Sequence, residues 1–95
     1  MAFDFISAPV SFVCVFREGK RFSNHIVFST DLKETVCQAD ESWQLIYVRP
    51  FSNVIDGLSH RLFLTQLSAE SIDHIIRKMN PKGKDLRSFL KEIMG

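Results

Sequence analysis

Hydrophobic and polar positions first divide the N-terminal part of the chain into two strand-like segments. Residues 11–17 and 21–29 are rich in β-branched and aromatic residues, and the polar turn Glu18-Gly19-Lys20 separates them, which predicts a β-hairpin. The residues before the hairpin, 3–10, are apolar but interrupted by polar residues and a proline. We expect them to form an extended lead-in.

The longest nearly unbroken apolar run is Trp43-Gln44-Leu45-Ile46-Tyr47-Val48-Arg49-Pro50-Phe51. Its β-branched and aromatic content, with Pro50 closing it, predicts a strand that is covered on both faces. The elements before and after this run must therefore provide cover for two faces of a sheet.

Helix signals occur on both sides of this strand. Thr30 or Asp31 is a suitable N-cap for a helix of about two turns. After the strand, Ser52 or Asn53 caps a second helix, whose apolar residues lie on more than one side: Val54, Ile55, Leu58, Leu62, Phe63 and Leu67. We expect this helix in the interior, with Gly57 allowing close approach to the sheet.

Two further helices end the chain. Ser68 caps the third, with Leu67 and Ile72 placed as a hydrophobic staple and a buried stripe of Ile72, Ile75, Ile76 and Met79. Asn80-Pro81 and Gly83 end it. The fourth runs from about Asp85 to Met94. Its buried stripe consists of Leu86, Phe89, Leu90 and Ile93, and the cations expected to face outward are Lys84, Arg87 and Lys91. The order is β-β-α-β-α-α-α, an α/β (α+β) fold in a single domain over 1–95.

Composition places the chain among ordinary soluble domains. It has 95 residues, of which 45% are hydrophobic and 24% charged, so it can fold without a metal, a disulfide or a cofactor. No leader or membrane-spanning segment is recognisable. Cys14 lies in an apolar run, and we interpret Cys14 and Cys37 as free thiols in a cytoplasmic protein.

Charge is uneven along the chain although the net charge is only +1. The half from Trp43 onward is basic, and five cations straddle the end of the third helix and the following loop: Arg77, Lys78, Lys82, Lys84 and Arg87. Such a cluster can bind the phosphates of DNA or RNA in a salt-dependent manner. The alternative is a solubilising surface, helped by cations at a helix C-terminus.

Other candidate chemistry is weaker. Cys37, His25 and Asp40 can be imagined as a nucleophile, its base and an orienting carboxylate, but three common residue types in one chain are weak evidence for such a site. The three histidines have no metal-ligand spacing, and we interpret His25, His60 and His74 as surface histidines. Asp56 and Asp73 are expected on solvated helix faces. If Phe3, Phe5 or Phe51 is exposed, a protein partner or self-association would follow.

Several fragments resemble the second half of the small stand-alone GIY-YIG endonuclease-like proteins. They are the strand Trp-Gln-Leu-Ile-Tyr-Val, Gly57-Leu58 on the second helix, the cap Leu67-Ser68, and the ending Asn80-Pro81 followed by Asp85-Leu86. In that family the corresponding pieces are an aromatic and aliphatic strand, a helix with an Ala-Leu pair, a Leu-Ser cap and an Asn-Pro-x-x-x-Asp-Leu ending. Thr30-Asp31-Leu32 also resembles the start of the family's first helix.

The resemblance implies a three-stranded antiparallel sheet flanked by helices and, in active members, metal-assisted hydrolysis of a DNA phosphodiester. That chemistry needs two strand tyrosines, a helix arginine and a metal-holding glutamate. The corresponding positions here are Cys14, His25, Thr35 and Arg61, so each differs from the family pattern. We expect no metal, no nuclease activity of this kind, and a catalytically inactive module that binds nucleic acid or a protein.

The alternative is a structure-specific DNA endonuclease with a rearranged active site, for which magnesium would be the cofactor. No membrane partner is expected.

Overall fold

The predicted order of elements is confirmed in the computed structural model, which describes residues 8–19 and 23–94, with the backbone alone for 91–94. The elements are β1 (Ser11–Glu18), β2 (Ser23–Ser29), α1 (Leu32–Gln38), β3 (Trp43–Phe51), α2 (Val54–Thr65), α3 (Ala69–Met79) and α4 (Leu86–Met94). Most of the expected lead-in, and Lys20 of the expected turn, lie outside the described residues.

β1 is the central strand of a three-stranded antiparallel sheet in the order β2-β1-β3. The bounds of β3 are those of the apolar run, Trp43–Phe51, and only the expectation that Pro50 closes the strand is wrong, because Pro50 pairs with Phe12 one residue before the end. A proline is tolerated there because β3 is an edge strand, where one row of N–H groups has no ladder partner. The β1–β3 register shifts between Val15 and Phe16, which leaves Ile46 as the extra residue of a bulge.

Each face of the sheet carries its own core. Val13 and Val15 point to the face covered by α2 and α3, where they pack with Ile46, Tyr47, Leu64, Ile72 and Ile76. Cys14 and Phe16 point to the opposite face, covered by α1 and α4, where they pack with Val36, Leu45, Leu86 and Leu90. We call these the α2/α3 face and the α1/α4 face. The predicted cover on both faces of the Trp43 strand is confirmed.

The helices begin where the capping residues predict. The Asp31 carboxylate accepts from the Glu34 N–H at 3.1 Å, Asn53 Oδ1 from the Asp56 N–H at 2.7 Å, and Ser68 Oγ from the Ser71 N–H at 3.2 Å. These bonds satisfy backbone donors that have no partner within the helix.

Gly57 lets α2 approach the sheet closely, as expected. A Cβ atom built on Gly57 would lie 2.5 Å from Ser11 Oγ and 2.8 Å from Phe28 Cε1. The distance between β1 and the start of α2 is further fixed because Ser11 Oγ donates a hydrogen bond of 2.7 Å to the carbonyl of Asn53, the residue just before the helix begins.

The expectation that α2 lies in the interior is wrong. Gly57 and Leu64 are its buried residues, whereas Ile55 is 74% exposed and Leu58, Leu62 and Phe63 are also exposed. The helix touches the sheet along one side only, so its additional apolar residues face outward. Met79 and Phe89 were expected in buried stripes and are likewise exposed. Within the described part of the chain, no helix is both long and apolar enough to cross a membrane.

Candidate nucleic-acid interface

The loop of residues 80–84, which follows α3, is anchored by the buried side chain of Asn80. Asn80 is 8% exposed, and its amide donates to the carbonyls of Ile46 at 3.1 Å and Lys84 at 2.8 Å. Its Oδ1 accepts from the Lys84 N–H at 3.0 Å, and its own carbonyl accepts from the Gly83 N–H at 3.0 Å. Gly83 has a φ of +62°, which favours glycine in this turn. The loop therefore has a fixed shape.

A groove of about 200 Å³ lies between β1, α3 and this loop. Its lining residues are Arg17, Asp73, Ile76, Arg77, Asn80, Pro81, Lys82 and Gly83. Three of them are cations (Arg17, Arg77 and Lys82) and one, Asp73, is an anion, so the lining has a net positive charge. We call it the basic groove.

Arg17 enters this groove from β1 and was not part of the predicted cluster. Its Nη2 forms a salt bridge with Asp73, and its Nε donates to Asn24 Oδ1 at 3.2 Å. The Asp73 side chain is 42% exposed, as a solvated face predicts, but it is paired with Arg17 and is not an isolated carboxylate. No local pattern could have indicated this pair, because its members are 56 residues apart in the sequence.

Four members of the predicted cluster are exposed: Arg77, Lys78, Lys82 and Lys84. Arg77 and Lys78 occupy the last turn of α3, where cations also interact favourably with the helix dipole. Their exposure leaves these side chains able to meet a phosphate backbone. The structure thus gathers four of the five predicted cations around the end of α3.

Arg87 differs from the prediction that it faces outward. Its Nη1 donates to the carbonyls of Asp40 at 2.6 Å and Trp43 at 3.0 Å. Its Nη2 donates to the carbonyls of Val36 at 2.9 Å and Ala39 at 3.2 Å. The side chain caps the C-terminal end of α1 and joins it to the start of β3, so its donors are already engaged within the protein.

The four positions of the family's catalytic residues do not form a common surface. Cys14 is fully buried on the α1/α4 face, and burial raises the pKa of its thiol to about 12. His25 lies on the same face and stacks on Trp43, with ring centroids 4.0 Å apart. The Thr35 hydroxyl, on α1, donates to Ser29 Oγ at 2.6 Å. Arg61 is exposed on α2, which packs against the opposite face of the sheet.

The histidines are less uniform than expected. His74 is exposed, but His25 and His60 are partly buried, so the interpretation of all three as surface histidines is wrong. His60 Nε2 lies 2.9 Å from the Tyr47 hydroxyl, beside the rings of Phe51 and Phe63. Burial, with a smaller contribution from the charge of Arg49, lowers the pKa of His60. This pair ties α2 to β3.

The weak nucleophile hypothesis gains no geometric support. The backbone N–H of Ser42 and its hydroxyl donate to Asp40 Oδ1 at 2.9 Å and 2.8 Å, and the first of these bonds is the main cause of a lowered pKa of Asp40. His25 interacts with Glu18 and Trp43. Among the described residues, no group of three histidine, cysteine, aspartate or glutamate side chains can hold a metal ion.

A second, more open cleft of about 510 Å³ lies beside β2 and the ends of α2 and α3. The described residues that line it are uncharged: Ser23, Asn24, Ile26, Leu64, Thr65, Ala69 and Ile72. Since none of these described residues offers a cation to a phosphate, the basic groove and the cations beside it form the better candidate site.

Comparison with protein-family models, with curated proteins and with solved structures found no match.

Proposed function

We propose that this protein is a catalytically inactive module, GIY-YIG-like in its order of elements but without that family's catalytic surface, and that it binds the phosphate backbone of DNA or RNA. The cations that carry the binding are Arg77, Lys78, Lys82 and Lys84. The observation behind the proposal is that all four are exposed on the last turn of α3 or on the loop that Asn80 holds in place, and that Arg77 and Lys82 line the basic groove. Because the backbone that carries these cations is already ordered, binding a polyanion does not require the loop to be ordered first.

Binding is favoured over catalysis because the side chains at the family's catalytic positions do not suit metal-assisted hydrolysis. Arg61, a cation, stands where the resemblance requires a carboxylate, and Cys14 is buried with its pKa raised. Magnesium in proteins is bound through oxygen atoms, usually one or two carboxylates together with substrate phosphates and water. These residues therefore do not fit the metal, and no hydrolytic step is assigned to them.

Electrophoretic mobility shift with labelled single-stranded and duplex oligonucleotides at low salt tests the proposal. The wild-type protein should retard the oligonucleotide, and replacing both Arg77 and Lys78 with alanine should weaken binding by about tenfold or more. Lys33→Ala is the matched control, because Lys33 is an exposed cation on α1, on the other face of the sheet. Absence of any shift at low salt would contradict the proposal.

Branched and nicked DNA substrates, incubated with magnesium or manganese, test the alternative of a rearranged endonuclease. We expect the substrate to remain intact. Cleavage of a branched or nicked DNA that is lost in the Arg61→Ala variant would favour the endonuclease instead.

A second candidate function, self-association, is favoured by the outer side of α2. Ile55, Leu58 and Leu62 recur at helical spacing and are exposed, whereas Phe51 is partly buried and Phe3 and Phe5 lie outside the described residues. We propose a second copy of the chain as the partner, since an uncharged stripe is complementary to itself in a twofold contact. A patch on the order of a few hundred Å² gives a weak, concentration-dependent dimer.

Sedimentation or light scattering over a range of concentrations tests self-association. Leu62→Glu should keep the protein monomeric at concentrations where the wild type associates. Phe89→Glu on α4 is the matched control, because Phe89 is 58% exposed and Leu62 59%. A wild type that stays monomeric throughout would contradict the dimer.

We also propose a cytoplasmic location for the protein, which the free thiols of Cys14 and Cys37 support.

A further inference from the structure

Arg17 is held in place by two contacts that leave part of its guanidinium free. Nε donates to Asn24 and Nη2 pairs with Asp73, while Nη1 makes no hydrogen bond to a described residue. The side chain of Arg17 is 24% exposed and that of Asp73 42%. A guanidinium has five N–H donors in a planar fork that matches the oxygens of a phosphate. Arg17 is thus a partly desolvated, oriented donor at the edge of the groove.

Two further cations reach the same groove from different elements. Arg77 comes from the last turn of α3 and Lys82 from the loop that Asn80 anchors. Asp73 compensates one of the three positive charges, which leaves a surplus that favours an anion. Convergence of an oriented arginine with two other cations is the arrangement that recognises phosphate rather than a neutral polar group.

The size of the groove indicates which part of a nucleic acid it accepts. At about 200 Å³ it is smaller than the roughly 300–1,000 Å³ of pockets that enclose a drug-sized ligand. A phosphate group fits within this volume, and the rest of the nucleotide can extend from the groove into solvent.

We propose that the basic groove is a binding site for one phosphate group of a nucleic acid strand, with Arg17, Arg77 and Lys82 as its ligands. This inference rests on the proposed function. It adds a defined binding site and one further phosphate-binding residue, Arg17, which is not a member of the predicted cluster of cations. Asp73 positions Arg17, and its negative charge lowers the net positive charge of the groove. The phosphate is either a strand's terminal phosphate, with a charge of about −1.5 to −2, or an internal phosphodiester.

Fluorescence anisotropy with two otherwise identical oligonucleotides, one 5′-phosphorylated and one with a 5′-hydroxyl, tests the site. Arg17→Ala should weaken binding of the preferred strand by about five- to tenfold, since a charge-assisted hydrogen bond at a partly exposed position is lost. Lys33→Ala should bind as the wild type does. A preference for the phosphorylated strand that disappears in Arg17→Ala assigns a terminal phosphate, whereas equal weakening for both strands assigns an internal phosphodiester.

Arg17 also pairs with Asp73, so Arg17→Ala can reduce stability. Lys82→Ala is the second variant, because Lys82 is exposed in the loop and its removal leaves the core intact. It should weaken binding by about threefold or more. If Arg17→Ala binds with wild-type affinity, the phosphate site is overturned; if Arg17→Ala does not fold, wild-type affinity in Lys82→Ala overturns it instead. The Arg77 and Lys78 variants then still test the proposed function. Failure of the wild type to bind either strand would instead overturn the proposed function itself.

Discussion

The side-chain amide of Asn80 donates a hydrogen bond of 3.1 Å to the backbone carbonyl of Ile46, which is buried in the middle of β3. This one contact joins the loop after α3 to a strand 34 residues earlier in the chain. Lys82 and Lys84 belong to that loop, and Arg77 lies in the helical turn before it. The position of the basic groove therefore depends on a buried polar residue.

Replacing Asn80 with alanine should lower the free energy of unfolding by about 1–3 kcal/mol. The substitution removes a buried hydrogen bond to the Ile46 carbonyl and the bonds that close the loop. Urea denaturation followed by circular dichroism measures the change. Gln66→Ala, at an exposed amide after α2, is the control and should change stability by less than about 0.5 kcal/mol. Equal stability of the two variants would contradict the anchoring role.

Arg87→Ala should destabilise the protein by about 2–4 kcal/mol, since four backbone carbonyls around the end of α1 lose a charged donor. Arg87→Lys should restore only part of the loss, because an ammonium group cannot reproduce the planar fork. Chemical denaturation compares these variants with Lys33→Ala, an exposed cation on α1 that is expected to be close to neutral. Full rescue by lysine would show that charge, and not the geometry of the guanidinium, is what matters there.

Two glycines give a matched test of the α2–sheet contact. Gly57→Ala should cost about 1–3 kcal/mol, because the new methyl group would overlap Phe28 and displace the Ser11 hydroxyl from its bond to Asn53. Gly19→Ala should be neutral or slightly stabilising, since no atom lies within 4 Å of an added Cβ. Thermal unfolding of both variants provides the comparison. A Gly57→Ala protein as stable as the wild type would show that α2 can move away from the sheet without cost.

The two cysteines should differ in reactivity. A thiol reagent near neutral pH should modify the exposed Cys37 in the native protein and reach Cys14 only after unfolding. Burial raises the pKa of Cys14 from 9.0 to about 12, so the unfolded state releases this proton first. Stability is therefore unaffected by Cys14 below pH 9.0 and declines as the pH rises towards 12.

Counting modified thiols by mass spectrometry, with and without denaturant, checks the difference in reactivity, and Cys37→Ser should remove the native signal. Alkaline unfolding of wild type and Cys14→Ala checks the pH dependence, which should be steeper in the wild type. Rapid native labelling of both cysteines would contradict the burial of Cys14.

The features that could be predicted from sequence depend on neighbouring residues. Asp31, Asn53 and Ser68 cap helices through bonds to residues three positions later, and the apolar run from Trp43 identifies a strand by its own composition. A local signal of this kind is visible in a single sequence. Local signals of this kind are sufficient to predict the order of the elements.

The errors arise where distant residues decide the outcome. The Arg17–Asp73 pair and the contacts of Arg87 join residues 44 to 56 positions apart in the sequence. The periodicity of one helix shows which of its sides is polar, but it does not show which distant residue a polar side chain contacts. The apolar excess of α2 was ambiguous for a related reason: a side chain such as Ile55 has the same character whether the core or a partner covers it. Two of the four charged residues that line the basic groove, Arg17 and Asp73, were therefore outside the predicted site.

The salt dependence of oligonucleotide binding tests the central claim most directly. For a duplex, the plot of log affinity against log salt concentration should have a negative slope, and replacing both Arg77 and Lys82 with alanine should make that slope shallower by about 1.8, because two phosphate contacts are lost. Lys33→Ala should leave the slope unchanged. A double variant with the wild-type slope, or wild-type binding that does not depend on salt, would contradict the proposed nucleic-acid interface.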